Sequence, residues 1–201
     1  MDEPKTPRGQ ARRAAIVRAA AELMYERGVR AASLEDILDA AGAGKSQLYH
    51  YFSSKDDVAG AVIEHQLALV LEEQRRFRLE TWSGLRAWFD ALLAGQEKRG
   101  FRGCPVGSLA LEMSAASEEL RTRVAVAFRR WELTLAQAFE DMRRRRLIVA
   151  EADPAELAQT TLAAIQGGYL LSTAERDLRP MAHSLKLALT YLRSLRPKGA
   201  W

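Results

Sequence analysis

Apolar residues recur three and four positions apart along most of this chain, which is the period of helices that bury one face. The pattern predicts a first helix over about Gln10–Arg27, with Ile16, Ala20, Leu23 and Met24 as its stripe and Gly28 as its stop. Leu34, Ile37, Leu38 and Ala41 form a short second helix. Ser33 is placed to cap it, with Asp36 three residues on. Ala41-Gly42-Ala43-Gly44 breaks that helix, the glycines supplying the positive φ of a sharp turn, and a third helix follows over Lys45–Tyr51. A fourth begins behind Ser53-Ser54, with Ser54 and Asp57 repeating the capping pattern, and runs to about Arg78 through Val58, Val62, Leu69 and Val70. Thr81 caps a fifth, which ends near Gly100 with Leu85, Trp88, Phe89, Leu92 and Leu93 inside. Three glycines and Pro105 make residues 100–107 irregular. Helix resumes over Ser108–Ala116, Glu118–Leu147, Asp153–Thr173 and Leu178–Leu195, an all-α chain of about nine helices.

The third helix stands apart from the others. Leu48, Tyr51 and Phe52 can face inward, whereas Ser46, Gln47, Tyr49 and His50 are left pointing out. Four outward hydrogen-bonding side chains make a poor core element and a good reader of a major groove. There Ser and Gln meet base edges, and Tyr, His and Lys meet phosphates. Gly44-Lys45-Ser46 could also end a phosphate-binding P-loop. That motif requires a glycine at position 39, which holds Asp39, and a preceding strand where a helix is expected. The plain alternative is a core helical hairpin with a solvated polar face.

Ala41-Gly42-x-x-Lys45-Ser46-x-Leu48-Tyr49-His50-Tyr51-Phe52-x-Ser54-Lys55 resembles the helix-turn-helix signature of the TetR family of transcriptional regulators. The resemblance covers about Ala15 to Val62. It implies a three-helix DNA-binding domain over residues 1–55 and a ligand-binding and dimerisation domain over 56–201. It also implies a homodimer on a near-palindromic double-stranded DNA operator, with a small-molecule effector. The DNA-binding candidates are Arg12, Arg13, Ser33, Lys45, Ser46, Gln47, Tyr49, His50 and Lys55. Lys55 falls in the first turn of its helix, where a cation is unfavourable, so a phosphate contact outside the helix is expected. The implied function is a repressor released by its effector. An activator or an effector-independent regulator fits the same residues.

Composition adds little to this and removes several alternatives. Lysine and arginine number 30 against 26 acids in 201 residues, a mildly basic chain. Residues 1–60 carry nine of each sign, so distribution must serve an anionic partner rather than net charge. Lys5, Arg8, Arg12, Arg13 and Arg18 make a basic arm and first-helix start, and Arg143–Arg146 reads as a solvated helix end. The single cysteine leaves no intrachain disulfide and fits a reducing cytoplasm. No membrane span or signal peptide is expected. The three histidines form no zinc motif and no nucleophile turn is present, so neither metal, cofactor nor enzymatic activity is expected. A helical protein-interaction module remains the other non-enzymatic reading.

In the family the body holds an effector pocket. The candidate lining is Trp82, Trp88, Phe89, Phe101, Cys104, Met113, Phe128, Trp131 and Tyr169, aromatic and thioether groups that suit an adaptable apolar cavity. Each also reads as plain core. Gly103-Cys104-Pro105-Val106-Gly107-Ser108-Leu109-Ala110 resembles a Gly-Cys-x-x-Gly-x-Leu-Ala segment in one branch of the family, which includes electrophile sensors. Cys104 is therefore either a reactive sensor thiol before a helix N-terminus or an inert buried one. The last two helices carry more apolar surface than one core needs. Small residues Ala163, Ala164, Gly167 and Gly168 allow close approach, and Leu187, Tyr191 and Leu195 lie beside the main face of the last helix. A four-helix dimer interface is expected from Leu157, Ala164, Ile165, Gly168, Met181, Leu185, Ala188, Leu189 and Leu192.

Overall fold

The computed structural model describes Pro4 and residues 6–197; Lys5 of the expected basic arm lies outside them. Among the described residues the fold is nine helices without a strand. They are α1 (Pro7–Arg27), α2 (Leu34–Ala41), α3 (Lys45–Tyr51), α4 (Lys55–Gln74), α5 (Trp82–Lys98), α6 (Gly107–Ala116), α7 (Glu118–Arg144), α8 (Pro154–Glu175) and α9 (Arg179–Ser194). Most boundaries lie within a few residues of the sequence expectation. α4 stops at Gln74 rather than Arg78, and α7 at Arg144 rather than Leu147, where Arg146 takes φ 57°.

Two compact units form: the residues up to Val70 with Pro105–Ala127, and Leu71–Cys104 with the residues from Phe128 onward. Compactness thus groups α6 and the early part of α7 with the helix-turn-helix. Side chains on α6 and α7 account for this. Glu112 Oε2 on α6 accepts from the Arg30 amide at 3.0 Å, and Arg123 on α7 pairs with Asp57 at 3.4 Å and with Glu119 at 2.7 Å.

In the first unit α1 packs on α2 and α3. Ile16, Ala20 and Met24 of α1, Ile37 of α2 and Leu48 of α3 are wholly buried, and Phe52 nearly so. In α4, Val58, Val62, Ile63 and Leu67 are buried, but Leu69, expected inside, is 53% exposed. The α2 cap is reciprocal: Ser33 Oγ accepts from the Asp36 amide at 3.0 Å, and Asp36 Oδ2 accepts from Ser33 N at 3.3 Å and Oγ at 2.7 Å. These bonds from Ser33, side chain before backbone, hold the Asp36 carboxyl below the usual carboxylate range. At the start of α4 the same device is divided between two serines. Ser54 Oγ accepts from the Asp57 amide at 3.1 Å, whereas the Asp57 carboxylate accepts from Ser53.

In the second unit α8 packs on α9, and α5 also meets α9. Gly168 permits the α8–α9 approach: a Cβ there would stand 3.1 Å from the Met181 Cα. Trp131 is buried, and its indole N–H donates to Gln74 Oε1 at 2.7 Å, the polar partner a buried Trp needs. Asp153 caps α8 through the Ala155 amide at 2.9 Å, with Pro154 in the first turn. The Arg143–Arg145 run is paired with acids: Arg143 with Glu140 at 2.6 Å, Arg144 with Asp141 and Arg145 with Glu80 at 3.8 Å.

Candidate nucleic-acid interface and effector region

The α2–α3 turn depends on one positive φ, not two. Gly42 lies at φ 58°, ψ 41°, a left-handed position where a side chain is strained. Gly44 lies at φ −86°, ψ 160°, extended backbone that any residue adopts, so its expected turn role is corrected to that of α3 N-cap. Gln47 Oε1 accepts from the Gly44 amide at 3.3 Å, and Arg12 Nη1 donates to the Gly42 carbonyl at 3.2 Å. Arg12 therefore braces the turn from α1, and Arg13 lies over the Phe52 ring at 5.1 Å.

α3 itself buries only Leu48. Lys45, Ser46, Gln47, Tyr49 and His50 are all exposed, Tyr49 by 57%. Tyr51, expected inside, is half-buried and packs edge-on to His50 with ring centres 4.8 Å apart. Lys45 pairs with Glu35 at 3.1 Å, both side chains being at least 70% exposed. Such a pair is worth under about 1 kcal/mol and yields readily to a stronger anion. Lys55 has a partner that the sequence did not reveal: Nζ donates to the Arg30 carbonyl at 3.0 Å. The Arg30 peptide is thus held on its N–H side by Glu112 and on its carbonyl side by Lys55. Ser33 is exposed, with its hydroxyl engaged in the α2 cap.

A cleft of about 510 Å³ opens beside α3, lined by Thr6, Arg8, Gly9, Arg12, Gln47 and Tyr51 among others. Arg8 belongs to the expected basic arm, whereas Thr6 and Tyr51 were not among the expected DNA-facing residues. They come together because α1 begins at Pro7, earlier than its apolar stripe indicates. Thr6 caps it, with Oγ1 accepting from the Gly9 amide at 3.1 Å.

The expected effector lining is divided between the two compact units. Met113 is buried in the first unit, and the other eight residues belong to the second. Trp88 and Phe89 are buried with ring centres 5.4 Å apart, and Trp131 is core. Trp82 is half-buried beneath the Arg196 guanidinium, 4.5 Å from its ring centre. Phe128 and Phe101 are half-buried, Phe101 at φ 61°. Cys104 is buried, at 2% exposure.

What surrounds Cys104 is polar. Gln166 Nε2 donates to Cys104 Sγ at 3.5 Å. Gln96, wholly buried, donates to Thr173 Oγ1 at 3.1 Å and accepts from the Gly103 amide at 3.1 Å. One turn on, Arg99 Nη2 donates to the Tyr169 hydroxyl at 3.2 Å. Gln96, Arg99 and Gln166 were not expected here, because a lone amide or guanidinium carries no periodic signal.

The dimerisation candidates divide by exposure. Leu157, Ile165, Gly168, Met181, Leu185, Ala188 and Leu192 are buried within one chain, and Ala164 and Leu189 are half-buried. Their cover within one chain comes with α8–α9 packing. The open face consists of Ala163, Gly167, Leu170, Leu171, Leu187 and Tyr191, with Leu170 at 63% and Leu187 at 70% exposure. A Cβ on Gly167 would meet nothing within 4 Å.

A capped α2, a left-handed glycine turn and a recognition helix with its polar face outside define a helix-turn-helix DNA-binding protein. Residues 16–62 match the family described as bacterial regulatory proteins, tetR family, and residues 82–186 match the C-terminal domain of LmrA/YxaF-like transcriptional regulators. The chain belongs to the TetR family of transcriptional regulators. It is 31% identical to the transcriptional regulator AcuR of Cereibacter sphaeroides, over 82% of this chain and 77% of that one. It is 27% identical to the HTH-type transcriptional repressor NemR of Escherichia coli, over 82% and 85%. The crystal structure of a regulatory protein TetR from Rhodobacter sphaeroides superposes with a TM-score of 0.78 at 26% identity, covering 89% of this chain and 97% of that one. These relatives are regulators, in line with a non-enzymatic chain. Among the described residues no helix is long and apolar enough to cross a membrane, and no cluster of three His, Cys, Asp or Glu is placed to hold a metal.

Proposed function

We propose that this chain is a homodimeric, cytoplasmic repressor that leaves a near-palindromic operator when a small molecule binds its body. The observation that carries the reading is α3: one buried anchor, Leu48, beneath an exposed row of Lys45, Ser46, Gln47, Tyr49 and His50. Ser46 and Gln47 read bases in the major groove. Lys45, Tyr49, His50 and Lys55 hold phosphates, with Arg12, Arg13 and Ser33 near the backbone at the ends of α1 and α2. In functional terms residues 1–55 are the DNA-binding domain and 56–201 the ligand-binding and dimerisation domain.

The partner copy takes the open α8–α9 face. Leu170, Leu171, Leu187 and Tyr191 form an exposed apolar strip, and Gly167 lets a second helix approach closely. Two-fold symmetry then sets the recognition helices about one turn of DNA apart, ~34–36 Å or modestly more. The repressor sense is supported by the relative NemR, itself called a repressor. Release needs a coupling of ~1–3 kcal/mol between effector and DNA. The Gly103–Ala110 segment follows the Gly-Cys branch of the family, but burial of Cys104 favours a noncovalent effector over thiol modification, because reactive cysteines are usually partly exposed.

Selection from a random-sequence DNA pool, followed by binding at several salt concentrations, tests the whole reading. A near-palindromic site bound with steep salt dependence is expected. Tyr49→Ala should weaken binding to every sequence, and Gln47→Ala should relax preference at one position by ~1–3 kcal/mol. A pool that yields no site under low salt sinks the DNA-binding assignment.

A further inference from the structure

Among the described residues the Arg99 guanidinium pairs with no carboxylate in the body. Arg99 ends α5, and its guanidinium lies against Gly95, where a Cβ would stand 2.9 Å from Nη1. Its hydrogen bond among the described residues is the one from Nη2 to Tyr169. Nε is buried and has no partner at all. Arginine stays protonated in proteins and presents five donors in a rigid fork. A desolvated, unanswered donor on that fork is costly, and native structures keep such groups where something else answers them.

We propose that Arg99 and Tyr169 bind the carboxylate of a small organic acid, and that this acid is the effector of the regulator. The second half rests on the effector reading given above. A planar fork with an unanswered Nε beside Nη2 matches a carboxylate in a bidentate arrangement. The groups joined to it by hydrogen bonds and helix register, Tyr169, Gln96, Gln166, Thr173 and Cys104, are uncharged polar side chains. Arg99 is the one cation among these groups, which suits a singly charged acid better than a phosphate. Gln166, which touches Cys104, sits one turn before Tyr169 on α8, so the thiol and the guanidinium flank the same turn. Gly95 leaves the space in which the guanidinium lies; a larger residue would displace it.

The test is calorimetric titration of the full chain with straight-chain carboxylates from propionate to hexanoate, each beside its own primary amide. At least one acid is expected to bind about tenfold more tightly than its amide, equivalent to ~1.4 kcal/mol. Arg99→Gln should erase that preference. Because Arg99→Met removes an unanswered donor, it should unfold no earlier than the parent without ligand, yet lose the rise in melting temperature that the acid gives. Equal binding of acid and amide, an acid preference that survives Arg99→Met, or no binding by any acid of the series would overturn the site. An acid that binds as expected but leaves operator affinity unchanged would overturn its assignment as effector. Loss of the site with operator binding intact leaves the regulator reading standing.

Discussion

The α2–α3 turn and the α5–α6 connection are both short breaks between helices, and they are held in opposite ways. In the first, most of the fixing bonds are local. The Gly42 and Ala43 amides return to the Asp39 and Leu38 carbonyls, Gln47 answers Gly44, and Gly42 supplies the left-handed φ. Arg12, 30 residues away, reaches in from α1. In the second, Gln96 bonds Gly103 across seven residues and Thr173 across 77, Arg99 reaches Tyr169 across 70, and Gln166 reaches Cys104 across 62. A local turn forms early and tolerates the loss of one bond. A segment tied by distant side chains depends on the whole unit being assembled.

The largest effect should therefore fall in the second segment. Gln96→Leu, at a wholly buried position, removes the acceptor of the Gly103 amide and the donor to the half-buried Thr173 hydroxyl. Loss of both bonds should cost about 3 kcal/mol, at ~1–3 kcal/mol each with partial relaxation. Denaturant unfolding reads this directly. A loss under about 1 kcal/mol would mean that water reaches the segment, and would undo the contrast.

Removing the local cap should cost less. Ser33→Ala takes away the acceptor for the Asp36 amide and the donor to its carboxylate, a change typically worth ~1 kcal/mol. Ser33→Asp keeps an acceptor for the amide and should restore most of it. Equal destabilisation by Ser33→Ala and Gln96→Leu would show that local and distant ties count alike.

The same contrast decides what could be read before the structure was seen. All nine helices were legible, because periodicity and caps are properties of neighbouring residues. Ser33, Thr81 and Asp153 each do as caps what their spacing implies. The outward row on α3 was legible for the same reason. Arg99, Gln96 and Gln166 were not, since their meaning lies in partners on other helices. Apolar spacing on α8 and α9 tells that a face is covered, not what covers it. Leu170 and Leu171 stay open while Met181 and Leu185 do not, and only packing separates them.

Lys55 joins local and distant effects, and a smaller change is expected there. Its charge sits in the first turn of α4, where the dipole disfavours it, and the Arg30 carbonyl answers it. Lys55→Met should lower stability by roughly 0.5–1 kcal/mol through that bond. If Lys55 also meets a phosphate, the salt slope of operator binding should fall by about one. An unchanged slope with lowered stability would make it a clamp for the α1–α2 connection alone.

The smallest effect is a pH dependence placed in the first unit. His65 on α4 has its pKa lowered chiefly by burial, then by the Arg18 cation on α1, against a weaker pull upward from Glu22. A histidine that resists protonation when folded binds its proton more readily when unfolded. Its contribution is fully present above the unfolded value near 6.5 and is lost as pH falls toward the lower folded value. Melting temperature should therefore decline between about pH 7.5 and about pH 5.5, and His65→Gln should flatten that decline without changing stability at the upper end. Asp36 and Asp57, whose carboxyls are held low by Ser33 and Ser53, leave this window undisturbed, because their losses begin only as pH falls toward the ordinary carboxylate value of 3.8. A decline that persists unchanged in His65→Gln would place the acid sensitivity outside the α1–α4 contact.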